Sequence, residues 1–126
     1  MTLEGRILSP RGFVRGRLHF SERILAVEEA PVEGPYILPG FLDLHVHGGL
    51  GADAMEGKEA VLRMARFHLQ HGTTGLLATT VTAPPEDLRR ALSGIAEAMA
   101  ECEALLGAHL EGPFLSPKRL GAQPPF

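Results

Sequence analysis

Hydrophobic and polar positions alternate in three short stretches at the start of the chain, Leu3 to Leu8, Gly12 to Phe20 and Arg23 to Val27. Ser9-Pro10 and Ser21-Glu22 separate them, so the pattern predicts short antiparallel strands. Pro and Gly then dominate from Pro31 to Pro39, and the periodicity changes behind them, which places a boundary near Tyr36: residues 1–36 and residues 37–126. Phe41 to His47 alternates as a strand. Lys58 to His71 sets Val61, Met64, Ala65 and His68 on one helical face before Gly72. Thr73 to Thr80 is β-branched and apolar, as a buried parallel strand should be. Pro84-Pro85 opens a helix in which Leu88, Ala91, Leu92, Ile95 and Met99 recur at helical spacing, and Leu105 to Glu111 forms a third strand.

These strands end at a regular interval. Thr80 lies 33 positions after His47, and Glu111 lies 31 after Thr80. A (β/α)8 barrel of typically ~250 residues gives about 31 to each βα unit, so the second segment reads as α/β, the first three βα units of a TIM-like barrel. A doubly wound sheet has similar spacing, but it usually places a Gly-rich phosphate turn after its first strand, and two histidines stand there instead. Three strands cannot close a barrel of eight. The expectation is therefore an N-terminal fragment whose uncovered edges call for a swapped homo-oligomer or for the missing remainder of the barrel.

The strand ends also carry the chemistry. In Phe41 to His47, alternation puts Asp43, His45 and His47 on one face, and it puts Leu42, Leu44 and Val46 on a greasy face that would pack on helices. An isolated His-x-His reads first as chance adjacency or a packed histidine pair, ahead of a ligand pair. Its position at a strand's C-terminal end, before Gly48-Gly49, favours convergence on one ion. Glu111, read as the last residue of its strand, opens on the same mouth and is poised like a third ligand, although taken alone it reads first as a solvent-facing carboxylate. The single cysteine, Cys102, excludes an internal disulfide and any multi-cysteine zinc site, so a metal must use His and carboxylate.

The remaining chemistry is plain. Fifteen acidic against twelve basic residues leave no surplus to neutralise phosphates, which argues against a nucleic-acid partner. No apolar run approaches the ~20 residues of a membrane span, and no signal-like segment opens the chain, so a cytoplasmic protein is expected. His68, on the apolar side of its helix, and His71, near its C-terminus, read as structural. Lys118-Arg119 reads as a solvated loop pair, Thr79 and Thr80 as strand residues first and site wall second, and His109 as a possible neighbour of the metal.

Three stretches together resemble the N-acetylglucosamine-6-phosphate deacetylases of the amidohydrolase superfamily: Leu38-Pro39-Gly40-Phe41-Leu42-Asp43-Leu44-His45-Val46-His47-Gly48, His71-Gly72-Thr73-Thr74, and Gly107-Ala108-His109-Leu110-Glu111-Gly112-Pro113-Phe114. The third is the sharpest, because many relatives take their metal-bridging ligand from a modified lysine on a later strand. The resemblance implies that Glu111 is the principal metal ligand and that His45 and His47 serve a second metal position, with zinc or iron as one or two ions. It further implies an accessory β-sandwich built in part by the N-terminal strands, a phosphorylated amino sugar as substrate, hydrolysis of its acetamide, and a dimer. The family's later histidine pair and its late acid-base aspartate have no counterpart in these residues, so no catalytic acid or base is expected here and the chain alone should be inactive. The substrate loop is implied to include Ala122 and Gln123, the latter replacing a family histidine that contacts the sugar. The alternatives are another amidohydrolase, of cyclic amidase or dipeptidase type, and a non-catalytic metal-binding or assembly fragment.

Overall fold

A computed structural model describes residues 1–126. The chain divides into Met1–Pro39 and Gly40–Phe126, a little past the boundary expected at Tyr36. In the first unit, β1 (Thr2–Ser9), β2 (Gly12–Phe20), β3 (Ile24–Glu29) and β4 (Tyr36–Ile37) form one sheet in the order β3-β2-β1-β4. The β1–β2 and β2–β3 pairs are antiparallel, whereas β4 pairs with Arg6 and Ile7 of β1 in parallel. That pairing is why Tyr36 and Ile37 stay with the first unit. Cross-strand register sets Arg17 opposite Glu4 on one side and Glu28 on the other, and its guanidinium reaches both carboxylates, at 2.7 and 3.2 Å. The Glu28 carboxyl is held below its ordinary range, first by its hydrogen bond with His19 and then by the charge of Arg17.

The second unit runs β5 (Phe41–Val46), β6 (Gly48–Gly49), β7 (Ala52–Asp53), a 3-10 turn (Ala54–Glu56), α1 (Lys58–Gln70), β8 (Thr73–Thr79), α2 (Pro85–Met99) and β9 (Leu105–His109). β5, β8 and β9 make a parallel sheet with β8 in the middle. Chain order and sheet order coincide, as successive βα units require. The helices follow the predicted periodicity: Val61, Leu62, Met64 and Ala65 of α1 and Ile95 and Ala98 of α2 close over Val46, Leu76, Ala78 and Leu105 from the strands.

Two local features were not expected. Gly48 to Asp53 is a tight hairpin: Gly48 pairs with Asp53 and Gly49 with Ala52. Its two turn residues, Leu50 and Gly51, have φ of 52° and 68°, the double positive φ of a type I′ turn. Leucine is a rare occupant of that conformation, so the sequence does not announce this turn type despite Gly51.

The second feature alters the face assignment of β5. Its pairing with β8 shifts register between Asp43 and Val46, so strict alternation fails. Val46 enters the core at 8% exposure, while Leu42 and Leu44, expected beside it, stay 67% and 58% exposed. Leu42 lies with Leu106 over Gly75, where a Cβ would sit within 2.7 to 2.8 Å of both side chains. Leu106 is itself half exposed, so Leu42 and Leu106 form an open apolar surface instead of packing under helices.

Helix α2 touches the start of α1 through Gly94. A Cβ there would stand 2.7 Å from Gly57 Cα and 2.8 Å from Lys58 N, both backbone atoms that cannot swing aside. Alanine would gain about 1 kcal/mol of helix propensity, but overpacking against backbone costs about 1–3 kcal/mol, so the steric term wins. Gly94→Ala is expected to lower the urea midpoint at unchanged m-value; an unchanged or raised midpoint would show that the two helices can separate freely.

Candidate metal centre

The site sits where β5 and the segment after β9 meet across the end of β8. His45 and His47 point their Nε2 atoms at one another, 3.1 Å apart, and each faces Glu111 Oε2, at 3.3 and 3.1 Å. The ligand atoms of the three residues lie within 4.8 Å of one another. Glu111 is the most sheltered, its side chain 29% exposed against 50% for His45 and 38% for His47.

An outer partner orients one of the rings. His47 Nδ1 is 3.2 Å from the Thr79 carbonyl, which can only accept, so Nδ1–H donates and Nε2 is the nitrogen turned to the site. Glu111 Oε2 is buried and makes no aligned hydrogen bond, although two imidazole nitrogens stand close by. Three potential ligand atoms gathered around a buried carboxylate oxygen that has no hydrogen bond of its own are what a cation site presents. The distances agree: ligands bound at 2.0–2.1 Å in a tetrahedron stand about 3.3 Å apart, and the three observed separations are 3.1, 3.1 and 3.3 Å. Two imidazole nitrogens and one carboxylate oxygen also form a donor set that suits a divalent ion of zinc's type.

Glu111 is not the last residue of its strand, as the pattern suggested. β9 ends at His109, which pairs with Thr79, and Glu111 lies just beyond. What fixes it is Thr80: its amide donates to the His109 carbonyl at 3.0 Å, and its Oγ1 accepts the Glu111 amide at 3.2 Å. Thr79 does the same for the other strand, its Oγ1 accepting the Val46 amide at 3.0 Å while its carbonyl holds His47. The threonine pair, read as strand residues first and site wall second, therefore sets the positions of both halves of the site. The available signal was the interval itself, which brings the end of β8 beside His47 and the segment that carries Glu111.

Other candidates fall elsewhere. Asp43 Oδ1 accepts the His45 amide at 3.1 Å, and Asp53 caps the 3-10 turn by accepting the Met55 amide at 2.8 Å. His68 donates to the Gly48 carbonyl at 3.0 Å, and His71 to the Phe67 carbonyl at 2.8 Å. Lys118 and Arg119 are exposed, and Cys102 is half-buried. Gln123 is half-buried, and its Oε1 accepts the Thr82 amide at 2.8 Å; Ala122 beside it is exposed.

A parallel sheet flanked by helices thus gathers a His-x-His and a glutamate at one end, a donor set of the kind that holds a divalent ion. Residues 36–124 match the Amidohydrolase family, and the chain belongs to it. Among its relatives are N-acetylglucosamine-6-phosphate deacetylases. The Bacillus subtilis protein is 45% identical over 103 residues, covering 76% of this chain and 26% of that protein. The Mus musculus protein is 38% identical over 126 residues, covering 95% of this chain and 30% of that one. The Thermotoga maritima deacetylase structure superposes with a TM-score of 0.87 at 34% identity, over 98% of this chain and 35% of that chain. A variant of the Mycobacterium smegmatis deacetylase, in complex with N-acetyl-D-glucosamine-6-phosphate, gives 0.82 at 36% identity, over 99% and 36%. The chain thus spans about a quarter to a third of the length of the relatives it matches. No helix is long and apolar enough to cross a membrane.

Proposed function

We propose that this chain forms the opening part of an N-acetylglucosamine-6-phosphate deacetylase. In this reading β1–β4 belong to an accessory β-sandwich, and β5, β8 and β9 are the first three strands of a (β/α)8 barrel. The observation that carries it is the convergence of His45, His47 and Glu111 at tetrahedral separations, around a carboxylate oxygen with no hydrogen bond of its own. The kinship with deacetylases supports the choice of substrate. The open Leu42 and Leu106 surface supports an incomplete barrel, covered by further barrel strands or a second copy.

His45, His47 and Glu111 would hold the ion, zinc or iron. When bound, such an ion polarises an amide carbonyl and makes water a nucleophile near neutral pH. The chain's own part is positional: Thr79 and Thr80 fix the ligand strands, and Gln123, its Oε1 already engaged, keeps its Nε2 hydrogens for a sugar hydroxyl beside Ala122. The general acid and base belong to later strands, because Asp43 and Asp53 are committed to backbone amides. The enzyme would work in the cytoplasm as a homo-oligomer on a small phosphorylated amino sugar.

Acetate release from N-acetylglucosamine 6-phosphate tests the reading. The zinc-loaded chain alone is expected to show none, since a missing general base typically costs 10² to 10⁴ in rate. A chimaera with these residues in place of the matching segment of the Bacillus subtilis deacetylase is expected to turn over. Turnover by the chain alone, or a folded, zinc-binding chimaera without activity, would overturn it.

A further inference from the structure

We infer that His109 is a positioning residue that aims His45 at the metal centre from the far side of the sheet. His109 sits at the end of β9, and β8 lies between it and β5. Its imidazole nevertheless reaches the β5 backbone: Nδ1 stands 2.9 Å from the Leu44 carbonyl, and a carbonyl only accepts, so Nδ1–H donates.

The need for this bond comes from the register shift. Leu44 and His45 fall between Asp43 and Val46, where β5 has no paired residues on β8, so a backbone bulge there must find hydrogen bonds outside the ladder. Three side chains supply them. Asp43 Oδ1 takes the His45 amide, Thr79 Oγ1 takes the Val46 amide, and His109 covers the Leu44 carbonyl. The first two are local or come from the adjacent strand; His109 alone ties the bulge to the strand that leads into Glu111. Its ring also lies edge-on against that of His45, with centroids 4.7 Å apart, which removes one direction in which His45 could swing. The partly exposed His45 imidazole thus depends on a residue two positions from Glu111, and the two halves of the site are fixed relative to each other. Residues that orient metal ligands in this way typically carry a 10- to 100-fold effect on affinity.

The inference rests on the proposed metal centre, so its test separates the two. Co²⁺ binding by the 126-residue chain is measured by calorimetry, with the visible spectrum as a second signal, for wild type, Glu111→Ala, His109→Asn and His109→Gln. Asparagine places an N–H where Nδ1 was, whereas the glutamine amide extends to where Nε2 was. The expectation is near-wild-type affinity and spectrum for His109→Asn, and about 10- to 100-fold weaker binding with an altered spectrum for His109→Gln. Wild type that binds no Co²⁺ would sink the metal centre itself. Wild-type binding that both His109 variants share, or that both lose equally, would overturn the role of the Nδ1 bond. The wild-type chain without metal gives a check that needs no variant: nitrogen NMR should find His109 protonated on Nδ1, and protonation on Nε2 alone would refute the bond.

Discussion

Glu111→Ala is expected to weaken zinc binding by roughly a hundredfold and to abolish acetate release in the chimaeric deacetylase. A complete four-ligand zinc site is worth about 10–16 kcal/mol, so one ligand accounts for about 3 kcal/mol, or close to two factors of ten. The loss should exceed that of either histidine, because Glu111 is the most sheltered of the three and the only anion among them. Its removal leaves two neutral imidazoles and no charge to offset the ion's. Zinc titration against a chromophoric chelator measures the affinity. Equal binding by wild type and variant would take Glu111 out of the site.

Leu76→Ala should be the most damaging single change to the fold of the second unit. Leu76 is fully buried on the central strand, among side chains from both helices. Such truncations cost about 2–5 kcal/mol, through lost transfer energy plus the cavity left behind. A domain of this size holds roughly 4–13 kcal/mol in all, so about 3 kcal/mol is a large share. A fall in Tm of roughly 12–24 °C follows from about 4–8 °C per kcal/mol. By contrast Leu42→Ala, on the open surface, should shift Tm little. Similar losses at both positions, read by calorimetry, would show that the Leu42 and Leu106 surface is covered in solution.

Which parts of this arrangement the sequence revealed follows from the range of the forces involved. Helices α1 and α2 were legible because Val61, Met64 and Ala65, and Leu88, Ala91 and Ile95, recur with the helical period that core burial imposes. The parallel strand β8 was legible as a β-branched and apolar run in the middle of the sheet, and the site because intervals of 33 and 31 residues bring the three strand ends to one end of the sheet. What stayed hidden depends on contacts between strands. The bulge between Asp43 and Val46 reverses the inside and outside of β5, yet each residue there is an ordinary strand residue; only the pairing with β8 and the bonds from Thr79 and His109 disclose it. The hairpin at Gly48–Asp53 has two-residue strands, too short for alternation to register, and a leucine at a positive φ where glycine or asparagine would have announced the turn. Glu111 was placed at a strand end by counting, but its position comes from the Thr80 hydroxyl, which no period records.

X-ray absorption at the zinc edge, on the zinc-loaded chain, tests the central claim most directly. The account predicts nitrogen and oxygen neighbours at about 2.0–2.1 Å, with the outer-shell scattering of two imidazole rings, which falls to a single ring in His47→Ala. A shell of water oxygens without imidazole scattering, or a spectrum that His47→Ala leaves unchanged, would contradict a centre built by His45, His47 and Glu111.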